Sequence, residues 1–159
     1  MSNKRIDKFK DYLQAIQGNG DLYIDQNFVS VIQRELNGQE ITADGIKNVM
    51  RKYNAQLYYE YIPTFLNHLN QKVIYFTPNE EKNLSLLFEC ISNKYSALFP
   101  GISFLNYNYV TYKLVEYIKH PDLHLLSIKI KDQDTLKDMD AKWKILCEDL
   151  EWLFISSED

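Results

Sequence analysis

The stretch Phe104-Leu105-Asn106-Tyr107-Asn108-Tyr109-Val110-Thr111-Tyr112-Lys113-Leu114-Val115 puts apolar or aromatic residues on nearly every side of a helical wheel. A helix that is apolar all round has no face suited to water, so it belongs in an interior. The stretch therefore predicts a central buried helix over 105–118. His120-Pro121 should end it, because proline lacks a backbone N–H and clashes with the turn before it.

Toward the C-terminus, residues 122–131 read two ways. Ser127-Ile128-Lys129-Ile130-Lys131 alternates like a strand, whereas Leu123 to Leu126 suits a helical turn. Leu136, Met139, Trp143, Leu146, Cys147 and Leu150 recur at three- and four-residue steps and predict a helix over about 134–150. Glu151-Trp152-Leu153-Phe154-Ile155 is a second apolar cluster, expected to fold back on the core, and 156–159 is a polar tail.

Toward the N-terminus, Thr77-Pro78-Asn79-Glu80 is a helix start, with a capping threonine, proline in the first turn and a glutamate completing a capping box. The helix after it carries Leu84, Leu87, Phe88, Ile91, Tyr95 and Leu98 and stops at Pro100-Gly101. Residues 72–76 are short and apolar and suit one extended segment. Leu57, Tyr58, Tyr61, Phe65, Leu66 and Leu69 mark another helix, which Pro63 should kink or restart. Before a break near Asn54, Thr42 caps a helix carrying Ile46, Val49, Met50 and Tyr53. Residues 25–36 form a helix with Phe28, Val29, Ile32 and Leu36 on one face, stopped by Asn37-Gly38. Residues 3–17 form a first helix on Ile6, Phe9, Leu13 and Ile16, ended by Gly18-Asn19-Gly20. The expected fold class is all-α: a compact orthogonal bundle of about six to seven helices. The expected organisation is a basic amphipathic helix at 1–20, either a docking arm or packed on the body, then a helical domain over 21–155 and the tail.

Composition sets limits on function. The chain has 159 residues, 45% hydrophobic and 14% aromatic, which is enough to bury a core and too rich in aromatics for a disordered chain. The net charge is -4. That argues against a stand-alone DNA binder with a broad basic face. Lysine dominates the cations; only Arg5, Arg34 and Arg51 offer the fork that reads guanine bidentately. The start lacks the apolar core of a signal peptide and no apolar run approaches membrane-spanning length. The expectation is an intracellular protein.

Catalytic chemistry is not legible. His120 and His124 have ligand spacing, but Pro121 between them disfavours a regular helix, and they read, like His68, as surface histidines. Asp132, Asp134, Asp138 and Asp140 cluster without the spacing of a calcium loop and read as capping and solvated acids. Asp140 stands apart, because it adjoins the Met139–Trp143 stripe; it is expected to bond Lys113, Asn106 or a tyrosine. Cys90 and Cys147 lie on apolar helical faces and read as buried thiols, a disulfide between them being the other reading. There is no phosphate loop, nucleophile elbow or readable triad, so no enzyme, metal or cofactor is expected. The tyrosines read as core. Lys4, Arg5, Lys8, Lys10, Lys129, Lys131, Lys137 and Lys144 are the cations available to a partner or to DNA. Interleaved acids make a solvated face the simpler account of the last four.

The order of these residues resembles a known family. Phe104, Leu105, Asn106 and Tyr107, with Tyr109, Tyr112, Lys113 and Leu114, precede a spacer; then follow Leu136, Asp140, Trp143, Lys144, Ile145, Cys147, Leu150, Trp152 and Phe154. This is similar to the poxvirus late transcription factor 3-like family of nucleocytoplasmic large DNA viruses. Weaker similarity reaches back to about residue 30. The resemblance implies a late, post-replicative transcription factor acting with a virus-encoded RNA polymerase or with other factors. It implies work in the host cytoplasm, in a viral factory, or in the nucleus, with packaging in the virion allowed. Two departures weaken the case for DNA contact. The N-terminal zinc-binding segment of some members has no counterpart here, and Ile102-Ser103 stands where a basic residue usually precedes Phe-Leu. The other function weighed is a virion structural, minor capsid or packing protein, in contact with capsid proteins, that reuses the domain.

Overall fold

The computed structural model describes residues 3–18, 26–69 and 73–157. The expected stops at Asn19-Gly20, the helix start at Asp25, and Lys72, Glu158 and Asp159 lie outside them. Among the described residues there are seven α-helices and no strand: α1 (Asn3–Ile16), α2 (Gln26–Glu35), α3 (Ala43–Lys52), α4 (Ile62–His68), α5 (Pro78–Leu98), α6 (Tyr107–Tyr117) and α7 (Gln133–Leu150). Short 3₁₀ turns occupy Gln56–Tyr61 and Leu123–Leu125. The all-α class read from periodicity is the class observed. Residues 73–77 are irregular, not a strand.

The helices fall into two units. One comprises Lys10–Pro78 and the other Met1–Phe9 with Asn79–Asp159, so α1 contributes its first turns to one and the remainder to the other.

In the 10–78 unit, the apolar stripes of α2, α3 and α4 meet. Phe28, Ile32, Ile46, Met50, Ile62 and Phe65 are buried together. Phe65 packs edge-on to Phe28 at 6.0 Å, the arrangement that aromatic quadrupoles favour. Thr42 caps α3 as expected, its Oγ1 accepting from Gly45 N at 2.9 Å. The break at Asn54 is a left-handed turn, φ 55°. Pro63 opens α4 and does not kink a longer helix, so the 57–69 segment is a 3₁₀ turn followed by a new helix. Gln17 is a buried polar pin. Its Nε2 donates to Leu13 O at 3.0 Å while its Oε1 accepts from Phe76 N at 2.9 Å, which satisfies one N–H of the irregular 73–77 segment.

In the other unit α5, α6 and α7 supply the core. Phe9 of α1 stacks on Phe88 of α5 at 4.3 Å. Arg5, one turn earlier, lies over the Phe104 ring at 4.5 Å and donates to Ser96 Oγ at 2.9 Å and to Ser92 O at 3.2 Å. The start of α1 is thus packed, not free. The α6 segment is as central as its composition demands, with Tyr109, Val110, Leu114 and Val115 fully buried. The ambiguous 122–131 segment resolves into a single 3₁₀ turn and an irregular extended run. Asn108 brackets that run, donating from Nδ2 to Ser127 O at 3.0 Å and accepting at Oδ1 from Lys129 N at 2.7 Å. One side-chain amide thus replaces the neighbouring strand that the alternating sequence suggested.

Two expectations are corrected. Cys90 is exposed, not buried. It lies on the outward row of α5 with Leu86, Asn93 and Ala97, opposite the buried Leu84, Phe88 and Ile91. His120 is buried, not a surface residue. Its Nδ1 accepts from Asp122 N at 3.0 Å, and its Nε2 stands 3.7 Å from Glu80 Oε1. His68 and His124 are exposed as expected, and Cys147 is buried.

Truncating Phe65 removes the ring on which α2 and α4 meet. Phe65→Ala is expected to destabilise the chain by about 3–5 kcal/mol, read as a lower urea midpoint.

Candidate functional site

Asn106 explains why Phe-Leu-Asn-Tyr is a unit. Its side chain accepts from Tyr109 N at 3.1 Å and caps α6. Leu105 before it and Val110 four residues after are both buried, at the positions of a hydrophobic staple. Phe104 inserts among Phe88 (5.6 Å), Tyr95 (5.2 Å) and Tyr107 (5.6 Å). Tyr95 fixes the incoming loop by donating to Ser103 O at 2.7 Å. Tyr112 is half-buried.

From this cap, α6 projects Tyr109 and Lys113 one turn apart toward α7 and the segment after it. Tyr109 donates its hydroxyl to Asp140 Oδ1, and Trp143 stands edge-on to its ring at 6.0 Å. Asp140 is the acid expected to bond a tyrosine, Lys113 or Asn106; the tyrosine is the partner. Its second oxygen accepts from Ser157 N at 2.7 Å and Ser156 Oγ at 3.5 Å. Lys113 is an ammonium with a side chain only 1% exposed. It donates to Ile155 O and to Glu116 Oε1 (3.1 Å), with the Tyr109 and Phe154 rings about it at 5.9 and 5.8 Å. A buried acid and a buried base thus both close on the backbone of residues 155–157. The 152–155 cluster does fold back as expected, held by these polar groups and by Trp152, which stacks on Tyr117 at 4.5 Å.

The electrostatics follow from burial. Tyr109 is held far above the usual phenol range, first by desolvation and then by the Asp140 carboxylate to which its hydroxyl donates. Burial pushes the Cys147 thiol up to about 11; Lys113 opposes this and Glu148 adds to it. A neutral thiol is a poor nucleophile and a poor metal ligand, so Cys147 acts as a small hydrophobe. Asp132 caps α7 by accepting from Thr135 N at 3.2 Å, and its bond to the Thr135 hydroxyl lowers its pKa. Asp138 meets Lys142 at 3.2 Å. Beside the cluster is a recess of about 10 Å³ lined by Lys113, Trp143, Cys147, Trp152 and Ile155, room for about one water and not for a substrate. Among the described residues no group of three His, Cys, Asp or Glu side chains could hold a metal, and no helix is long and apolar enough to cross a membrane.

These residues are the ones that carry the resemblance, and the match extends over the chain. The family described as "Poxvirus Late Transcription Factor VLTF3 like" matches residues 1–154. The chain belongs to this family. Similar proteins include "Putative transcription factor A494R" of Paramecium bursaria Chlorella virus 1, 29% identical over 99% of this chain and 46% of its own length. Another is "Putative transcription factor R429" of Acanthamoeba polyphaga mimivirus, 26% identical over 97% of this chain and 38% of its own length. The chain spans less than half the length of these curated relatives. No solved structure matches it. In this member of the family, Phe104, Leu105, Asn106, Lys113, Asp140, Trp143 and Cys147 build and close a core. The cations proposed for contact are placed differently: Lys4, Lys8, Lys10, Lys129, Lys131, Lys137 and Lys144 are exposed, whereas Arg5 is committed to Phe104 and two serines.

Sequence reasoning left Glu116, Tyr117 and the backbone of 155–157 out of the site. The available signal was Lys113 itself, a lysine inside an otherwise apolar helix, which must find an anion or carbonyl. Tyr109 and Tyr117, one turn to either side on the same face, follow from it.

Removing Asp140 orphans the Tyr109 hydroxyl and Ser157 N–H. Asp140→Ala is expected to cost about 2–5 kcal/mol. In the Asp140→Ala/Tyr109→Phe double mutant part of that loss returns, as a coupling of about 0.5–3 kcal/mol in a denaturant-based cycle. The high thiol and phenol values also set an alkaline limit. Unfolded Cys147 and Tyr109 lose protons near pH 9 and 10, while the folded groups keep theirs. Above pH 9 the unfolded state therefore binds fewer protons, and stability falls as pH rises. Cys147→Ala should flatten that fall between pH 9 and 11 in urea titrations; an unchanged slope would remove the thiol from the account.

Proposed function

We propose that this chain is a non-enzymatic viral late transcription factor that bridges a virus-encoded RNA polymerase to other factors at post-replicative promoters, chiefly through protein contacts. The observation that carries the reading is the family match over residues 1–154, together with two viral relatives that bear transcription-factor names. The role given to the motif residues supports it. Asp140, Lys113 and Cys147 are the groups with chemical potential, and all three are consumed in holding the fold. A net charge of -4 favours protein contact over a broad DNA-binding face. The exposed lysines supply at most a local phosphate contact, worked from a viral factory or the nucleus.

Depletion during infection is expected to leave early transcripts at normal levels and to reduce late ones. Tagged chain should retain the viral polymerase on affinity purification. Normal late transcript levels after depletion, measured by RNA sequencing, would sink the reading.

A further inference from the structure

After Glu151 the chain leaves helical geometry and burial alternates along it. Trp152 and Phe154 are half-buried, while Leu153 is 79% and Ile155 43% exposed, and Tyr117, Trp152, Leu153 and Ile155 line one shallow recess. What is unusual is that the more buried and the more exposed residues are both apolar. The more buried pair is explained by the core. The more exposed pair is not, since aliphatic groups in water gain nothing there.

The backbone beneath Leu153 and Ile155 is fixed. Trp152 N donates to Cys147 O at 2.8 Å, Lys113 donates to Ile155 O, and Asp140 accepts from Ser157 N at 2.7 Å. An apolar pair on a pinned backbone has already lost the freedom that binding would otherwise cost. Tyr117 widens the surface: it is 39% exposed and stacks on Trp152 at 4.5 Å and 25°. Aromatic rings of this kind, half in contact and half in water, are the usual anchors of protein interfaces.

Charge says what would cover it. Glu148 and Glu151, both exposed, stand in the last turn and at the C-terminal cap of α7, next to Trp152 along the chain. Glu116, already held by Lys113, adds a third acid, while Lys119 stands on the Tyr117 side. An apolar strip with an acidic margin complements aliphatic side chains set between cations.

We propose that Tyr117, Trp152, Leu153 and Ile155, with Glu148 and Glu151 at their margin, form the docking surface for a partner-protein segment that carries aliphatic residues between lysines or arginines. The proposal rests on the bridging reading above and names the surface that does the bridging.

The test uses the full chain and two fluorescein-labelled synthetic peptides of equal length, one built of Lys and Leu, the other of Glu and Leu. Anisotropy and the emission of half-buried Trp152 report binding. The Lys/Leu peptide should bind and the Glu/Leu peptide should not. Leu153→Asp/Ile155→Asp should weaken the complex about tenfold or more, with far-UV circular dichroism checking that the helices are kept. Glu148→Lys/Glu151→Lys should weaken it too, and gives an independent reading should the first variant fold poorly. Equal binding by wild type and both variants, or no binding by wild type, overturns the proposal. Wild-type dimerisation that Leu153→Asp/Ile155→Asp abolishes in sedimentation would overturn it in favour of a second copy. Polymerase retained equally by wild type and Leu153→Asp/Ile155→Asp overturns the surface alone, whereas failure of wild type to retain polymerase overturns the functional reading.

Discussion

A buried ammonium and a buried carboxylate, both largely withdrawn from solvent, organise the 79–157 region. Lys113 on α6 and Asp140 on α7 would each be costly in isolation, because a charge moved out of water loses its solvation. Each is completed by a neighbouring side chain and by the backbone of residues 155–157. The last described residues are therefore not an appendage. They supply the carbonyl and the N–H without which the interior of α6 and α7 would hold unsatisfied charge. Breaking one partner costs more than the bond is worth, since the orphaned group stays buried.

That constraint ties together the residues singled out in the sequence. Asn106 fixes where α6 starts, which fixes the face that Tyr109 and Lys113 share. Asp132 fixes the start of α7 and hence the turn on which Asp140 and Trp143 meet α6. Glu151 ends α7 in the left-handed region, φ 61°, and turns the chain back so that Ile155 and Ser157 arrive at the two charges. The motif is a set of positions required by one buried arrangement, with the outward Leu153 and Ile155 as its by-product on the surface.

Much of the fold was legible because it depended on local rules. A twelve-residue run without a polar face had to be interior, Pro63 had to open a turn, and Thr42 had to cap. What was not legible came from contacts distant in sequence. Lys113 finds its carbonyl 42 residues on, at Ile155, and no spacing rule foretells that. His120 is buried by residues including Glu80, 40 positions earlier, although its Pro-containing context reads as loop. Cys90 has apolar neighbours in sequence, but the wheel of α5 places it opposite Leu84, Phe88 and Ile91, on the face that water reaches. The site was legible as a set of names and not as a set of roles, because the chemistry of each residue depends on what neutralises it.

The amide bracket of Asn108 has a consequence for how the molecule behaves in a crowded cell. Residues 127–131 carry the alternating β-branched pattern that, left open, invites pairing with another chain edge to edge. With Ser127 O and Lys129 N already engaged, part of that edge has no free groups to offer. Lys129 and Lys131 project from it as exposed cations that repel an identical neighbour. A single asparagine thus occupies the groups through which this strand-like run would otherwise recruit a partner edge.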